Sequence, residues 1–240
     1  MVQGLRGERQ HYRAVRSGLV AGSDPVAIAR ALCRECDGTA VYVADLDALE
    51  GRGDHRGVIR ELRDDLGVEP WVDAGVSDSE AASRVLEAGA ARVIVGTETL
   101  TDITFLRAIR KILPPAQMLV SVDFDGRGVL SKCPALSGQP PLAAIELLAN
   151  EDVTEVILLA LRQVGTGAGP DLETLRAVRD AFPDLRLIAG GGVRTADDLR
   201  ALAEAGADGV LLATALHRGW IAAAHIRAAR LDDRPLTSGP

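Results

Sequence analysis

DAGVSDSEAASRVLEAGAARVIVGT (Asp73–Thr97) and GGGVRTADDLRALAEAGADGVLLAT (Gly190–Thr214) are two versions of one unit. A shift of 117 residues, the separation of Gly75 from Gly192, lays Val76 on Val193 and Glu87 on Glu204. It also lays Ala88-Gly89-Ala90 on Ala205-Gly206-Ala207, Val93 on Val210 and Thr97 on Thr214, with no gap in the window. Each copy reads as a strand end, a glycine turn, a helix and a following strand. A unit repeated at half the chain length marks an internal duplication.

Working outward, short apolar runs alternate with amphipathic stretches. Strands are expected at Thr39–Leu46, Glu69–Gly75, Ala91–Thr97, Gln117–Phe124, Glu155–Leu161, Leu185–Gly191 and Gly209–Thr214. Each is continuously apolar, the pattern of a parallel strand covered on both faces. Helices are expected at Asp24–Cys36, Gly57–Leu66, Ser79–Ala88, Thr101–Ile112, Pro140–Asn150, Leu172–Ala181, Thr195–Ala205 and Trp220–Ala229. Asp24-Pro25 and Ser77–Ser79 read as helix starts, and Gly67, Gly89 and Gly206 as helix ends. Strict βα alternation means an α/β fold with a parallel sheet, either an open doubly wound sheet or a closed barrel. The duplication selects the barrel, since two four-strand halves make eight. The fold class expected is a (β/α)8 TIM barrel of two duplicated half-barrels, in one domain over 1–240. Its first half is 1–113, its second half 114–230, and 231–240 is a polar, frayed tail. Seven strands are visible, and the repeat places the eighth before or at Met1, where MVQGLRGERQ reads as loop or hairpin. The first barrel strand is therefore expected to be missing from this sequence.

Composition narrows the function classes. The chain has 240 residues, 47% of them hydrophobic, which suits one large domain. A net charge of -7 gives no overall field for nucleic acid, and aromatics at 3% are too few for base-stacking platforms. No apolar run reaches the length of a membrane span and no leader opens the chain, so a cytoplasmic protein is expected. Lys111 and Lys132 are the only lysines, and neither ends a strand, which argues against Schiff-base chemistry. Cys33 and Cys36 form a CxxC inside a helical pattern, and His11, His55, His217 and His225 lack ligand spacing. No metal and no cofactor is implied.

The repeated unit points to an anion. Glycine turns let backbone N–H groups approach closely, and the helix start that follows adds positive potential. Gly75, Gly96 and Thr97 would form one phosphate cradle, and Gly191, Gly192, Ala213 and Thr214 its counterpart. Adjacent βα-loops of this kind are where barrel enzymes usually hold phosphate. Asp123 ends a strand, a position suited to acid–base work. Asp45 and Asp47 end another, and alternation points only one of them into the mouth. Asp125 reads equally as a turn residue before Gly126. The N-terminal stretch RGERQHYRAVRS holds Arg9 and Arg13, which are expected to close over an anionic substrate.

The chain resembles the histidine-biosynthesis barrel family, on VADLDAL (Val43–Leu49), SVDFDGRG (Ser121–Gly128), GTGAGPD (Gly165–Asp171), GGGV and ATAL. The family comprises a phosphoribosylformimino-carboxamide ribotide isomerase and the cyclase subunit of imidazole glycerol phosphate synthase. The likeness implies a substrate with two phosphates, one per half-barrel, and adds Gly167 to the phosphate set. It implies catalytic roles for Asp123 and Asp45, and an acid–base Amadori-type rearrangement in which an aspartate on the first strand assists Asp123. One departure is Val164, where the isomerase carries an aspartate before its Gly-Thr step. The order RQVGTGAGPD is closer to a divergent related group linked to methanopterin one-carbon metabolism. The function expected is an isomerase on a phosphoribosyl or sugar-phosphate metabolite. The alternatives are a non-catalytic binder of a phosphorylated metabolite and a one-carbon pathway enzyme on the same scaffold. A small phosphorylated metabolite is the expected partner, without nucleic acid or membrane. No partner protein is indicated.

Overall fold

Apolar runs become strands wherever β-branched residues cluster between helix stops, and they do so at the positions the sequence marks. The computed structural model describes residues 1–36 and 38–229. The expected tail at 231–240 lies outside the described residues. In chain order the elements are β1 (Val2–Gln3), β2 (Arg13–Ala14), α1 (Pro25–Cys36), β3 (Ala40–Ala44), α2 (Leu46–Leu49), α3 (Arg56–Leu66), β4 (Glu69–Asp73), α4 (Ser79–Glu87) and β5 (Arg92–Gly96). There follow α5 (Phe105–Arg110), β6 (Met118–Asp125), β7 (Gly128–Val129), α6 (Pro141–Ala149), β8 (Glu155–Ala160) and α7 (Leu172–Ala181). The chain then runs through β9 (Arg186–Gly190), α8 (Ala196–Glu204), β10 (Gly209–Leu211), α9 (Thr214–His217) and α10 (Ala223–Ala229).

Seven strands pair in parallel in the order β3-β4-β5-β6-β8-β9-β10. Ile94, Leu119, Ile157 and Ile188 form one buried cluster, against which Tyr42, Trp71, Leu159 and Leu211 pack. That cluster draws side chains from all seven strands, so the sheet curls around a shared interior as a barrel does. A second, larger apolar layer lies between sheet and helices, where Val72, Val93, Val95, Val120, Val122, Val156 and Leu187 meet the inner faces of the helices. Period-two alternation divides each strand between the two layers. The sheet path ends at β3 and β10, and no strand joins them among the described residues. The helical layer nevertheless continues across that seam, with the N–H of Ala223 at the start of α10 donating to Glu35 Oε1 of α1 at 3.1 Å.

The duplication appears in the coordinates. β4 and β9 begin and end at equivalent positions of the repeat, as do α4 and α8. Gly75 (φ 72°) matches Gly192 (φ 85°), and Gly89 (φ 103°) matches Gly206 (φ 94°). These left-handed conformations are open to glycine and strained for other residues. At the lower rim Arg92 forms a two-pronged pair with Glu155 and lies 4.6 Å over the Trp71 ring. This pairing ties the amino ends of β5 and β8 together, away from the carboxyl rim.

MVQGLRGERQ supplies the first strand and the turn of the hairpin β1–β2, with Val2 opposite Ala14. It lies across the upper rim, where the Arg6 N–H donates to the Val164 carbonyl at 2.9 Å. No helix among the described residues is long and apolar enough to cross a membrane.

Candidate active site at the carboxyl rim

Parallel strands bring all their carboxyl ends to one rim, and alternation decides which side chains face the interior there. Above Trp71 on β4 comes Asp73. Above Ile94 on β5 comes Gly96. Above Leu119 on β6 come Ser121 and then Asp123. The mouth is thus floored by Trp71, Tyr42 and Leu159, and its wall carries two carboxylates.

Asp73 is 5% exposed. Its Oδ1 accepts the Gly75 N–H at 3.3 Å, and no other hydrogen bond reaches the carboxylate among the described residues. A Cβ added to Gly96 would come within 3.2 Å of Asp73 Oδ2. Glycine at 96 therefore leaves the space that the carboxylate overhangs. Burial pushes Asp73 up to about 7, and the Asp123 charge adds to the rise. Asp123 is half-buried; its Oδ1 accepts from Ser121 Oγ at 2.6 Å, and its backbone N–H faces Thr97 Oγ1 at 3.4 Å. Burial lifts Asp123 to about 6 against the Ser121 hydrogen bond, with Glu98 raising it further. Tyr42 sits below both, its hydroxyl pKa held well above normal by burial and then by the two carboxylates. Two carboxyls with unequal affinities near neutrality are the pairing in which one serves as acid while the other serves as base.

Asp45 stands apart from this pair. It caps α2 by accepting the Ala48 N–H at 3.3 Å, and it also receives the His55 N–H at 2.7 Å and His55 Nδ1 at 2.8 Å. Its buried carboxylate holds the 45–56 loop together, and the hydrogen bond raises the His55 pKa. Asp125 takes the turn role, bound to Arg127 through the backbone at 2.7 Å and through an ion pair at 2.7 Å.

The two glycine loops open at the same rim and differ in charge. In the second half Gly191 (φ 101°) and Gly192 lie beside the Gly165–Gly169 turn, whose Gly169 N–H donates to the Gly192 carbonyl at 3.1 Å. A Cβ on Gly192 would strike the Gly169 carbonyl at 2.0 Å, so only glycine allows that approach. Gly167 packs under the Trp220 ring, and Arg194 stacks on the other part of that ring at 5.4 Å. Arg194 has no ion pair among the described residues. Ala213 and Thr214 begin α9 with no side-chain cap, leaving its first amides directed at the rim. In the first half Gly75 and Gly96 stand beside Asp73. Thr97 is fully buried, its N–H donating to Ser121 at 2.9 Å. Arg9 reaches this side and closes an ion pair with Glu98, with Glu50 at 3.5 Å. Arg13 is exposed on β2.

Asp73 and Glu98 were not among the residues the motifs single out. The signal for Asp73 is present in the repeat, because it occupies the position that Gly190 holds in the other half.

Seven parallel strands around a shared interior, with glycine loops and buried carboxylates at the carboxyl rim, define the class of TIM-barrel proteins. Comparison then places the chain: it matches the family described as histidine biosynthesis protein over residues 1–222, and it belongs to that family. It is 38% identical over 206 residues to a protein of Rubrobacter xylanophilus, covering 83% of this chain and 82% of the relative. A Deinococcus radiodurans protein is 34% identical over 182 residues, 75% of this chain and 76% of its own length. Both are named 1-(5-phosphoribosyl)-5-((5-phosphoribosylamino)methylideneamino) imidazole-4-carboxamide isomerase. An uncharacterized protein of Methanocaldococcus jannaschii is 32% identical over 222 residues, covering 91% of this chain and 88% of the relative.

Proposed function

We propose that this chain is an isomerase of a phosphoribosyl or sugar-phosphate metabolite, converting an aldose-type to a ketose-type compound by acid–base catalysis. The observation that carries the reading is the pair Asp73 and Asp123, two carboxyls on the inner face of the rim that burial lifts to about 7 and about 6. The Rubrobacter and Deinococcus relatives, named as isomerases of a phosphoribosyl compound, support the reaction type.

Phosphate is held by amides of Gly167, Gly191, Gly192, Ala213 and Thr214, with Arg194 supplying the charge. This anchor fixes the sugar over the mouth, so that its reacting carbons lie above Asp123. Protonated Asp73 gives its proton to the ring oxygen as the C1–O bond breaks, and the C1 hydroxyl loses its proton to solvent as it becomes the carbonyl. The Asp123 carboxylate takes the proton from C2, the electron pair left behind forms the C1–C2 double bond, and the C1 carbonyl oxygen takes up a proton from solvent. The C2 hydroxyl then loses its proton to solvent as C2 becomes the carbonyl, Asp123 returns its proton to C1, and Asp73 recovers a proton from solvent. Overall composition is unchanged, as an isomerisation requires. The hairpin over the rim, tied through Arg6 to Val164, covers one side of the mouth.

The test is a turnover assay over a panel of aldose phosphates, comparing the wild type with Asp123→Asn. Removal of a positioned base lowers kcat by about 10²–10⁴-fold, while phosphate-dependent binding persists. A variant with undiminished turnover removes Asp123 from the mechanism. Binding without turnover in the wild type favours the non-catalytic reading instead.

A further inference from the structure

The internal duplication makes each half a control for the other. Equivalent residues stand at equivalent places on one rim, so any departure from equivalence is local and chemical. Where the second half has Gly190, the first has Asp73. Where the second half has Arg194, the first has Ser77. Where the second half has Ala215 in α9, the first has Glu98. Every change adds a carboxylate to the first half or removes a cation from it.

The coordinates show what these exchanges do. Asp73 is 5% exposed, and its Oδ2 has no donor among the described residues while it overhangs Gly96 toward the mouth. The nearby cation does not offset it: Arg9 is already ion-paired with Glu98 and has Glu50 beside it. Thr97, whose equivalent Thr214 opens α9, is fully buried and bound to β6 on two sides. A phosphate placed over Gly75 and Gly96 would therefore meet the buried Asp73 carboxyl, beside an Arg9 that is already paired. With Asp73 lifted to about 7, a phosphate dianion there is either repelled by the ionised carboxylate or must hold it protonated, and both oppose binding. Opposite it, Arg194 has no ion pair among the described residues and stacks on Trp220 beside Gly167.

We infer that the substrate carries a single phosphate, bound by the second half, and that its far end bears hydroxyl or amino groups that hydrogen-bond with Asp73 beside Gly75 and Gly96. The expectation of a second phosphate at Gly75, Gly96 and Thr97 is replaced by recognition of a neutral or cationic end group. A doubly phosphorylated compound of the kind in the relatives' name would be a poor ligand here. This inference rests on the second-half cradle of the proposed function, and the experiment separates the two.

Inorganic phosphate is titrated into the full chain by calorimetry, and ribose 5-phosphate is then compared with ribulose 1,5-bisphosphate. One phosphate per chain is expected, lost in Gly192→Ala, with ribose 5-phosphate bound at least tenfold more tightly than the bisphosphate. The double variant Asp73→Gly/Glu98→Ala, which gives the first half the residues of the second, is expected to bind a second phosphate and to reverse that preference. Two phosphates on the wild type, or a wild-type preference for the bisphosphate, overturns the single-phosphate inference and leaves the isomerase reading standing. No phosphate on the wild type defeats both. Should the double variant not fold, the wild-type stoichiometry and the ligand comparison decide the matter alone.

Discussion

At the scale of single residues, the account turns on two carboxyls whose surroundings differ from those of a surface aspartate. In the ordinary state an aspartate titrates at 3.8, whereas folding lifts Asp73 to about 7. The folded protein thus holds this proton more tightly than the unfolded chain does. That preference is fully expressed below about pH 4 and is lost as pH rises through about 7. Asp73→Asn, which keeps the shape without the charge, should therefore be stabilising at neutral pH and near neutral in effect at pH 4. The upper bound on that gain is on the order of 4 kcal/mol. Melting temperatures of wild type and variant across pH 4–8 provide the check, and a difference that does not grow with pH contradicts the buried charge. Catalysis carries the same signature. With Asp123 as base at about 6 and Asp73 as acid at about 7, kcat should peak between those values and fall on both sides. The two titrate as a coupled pair, so the apparent values belong to both. Asp123 was legible because it ends a strand in a motif. Asp73 was equally visible as a break in the repeat, but a glycine-turn reading of DAGVSD passes over it.

Among elements, legibility followed local chemistry. Helix α7 occupies the expected Leu172–Ala181, fixed by the Asp171 side chain accepting the Thr174 N–H at 3.0 Å. Helix α5 is shorter than the expected Thr101–Ile112, because Asp102 binds Thr104 through backbone and hydroxyl and delays the helix to Phe105. Helix α10 begins at Ala223 and not at Trp220, whose N–H folds back to the Ala215 carbonyl at 2.8 Å. The hairpin at the N-terminus owes its place to contacts with residues far along the chain, such as Val164, which periodicity does not report. The halves also share a device: an arginine of the preceding helix binds the carbonyl of the αL glycine. Arg179 donates to the Gly206 carbonyl at 2.9 Å, to Pro183 and Leu185 carbonyls at 2.7 and 2.8 Å, and to Asp208. Arg63 makes one bond, to the Gly89 carbonyl at 3.3 Å, and is exposed. Arg179→Ala should therefore cost about 2–4 kcal/mol by stranding several acceptors, and Arg63→Ala less than about 1 kcal/mol. Denaturant unfolding of the two variants measures this, and equal losses would refute the asymmetry.

For the molecule as a whole, the barrel is most deeply packed opposite its seam. β6 and β8 are buried along nearly their whole length, whereas β3 is exposed at its ends and half-buried between them. β3 and β10 also terminate the sheet path. Native-state hydrogen exchange should accordingly be slowest in β6 and β8 and fastest, among the barrel strands, in β3 and β10. The rim above carries one duplicated architecture with two different linings, glycine loops beside Arg194 in one half and the carboxylates of Asp73 and Glu98 in the other, and the proposed phosphate belongs to the first of these. The most direct test of that division is hydrogen exchange of the full chain with and without ribose 5-phosphate. Slowed exchange confined to the amides of 190–194 and 213–216 is the predicted result. Slowing at 74–77 and 97–99 instead, or no slowing at either loop, would contradict it.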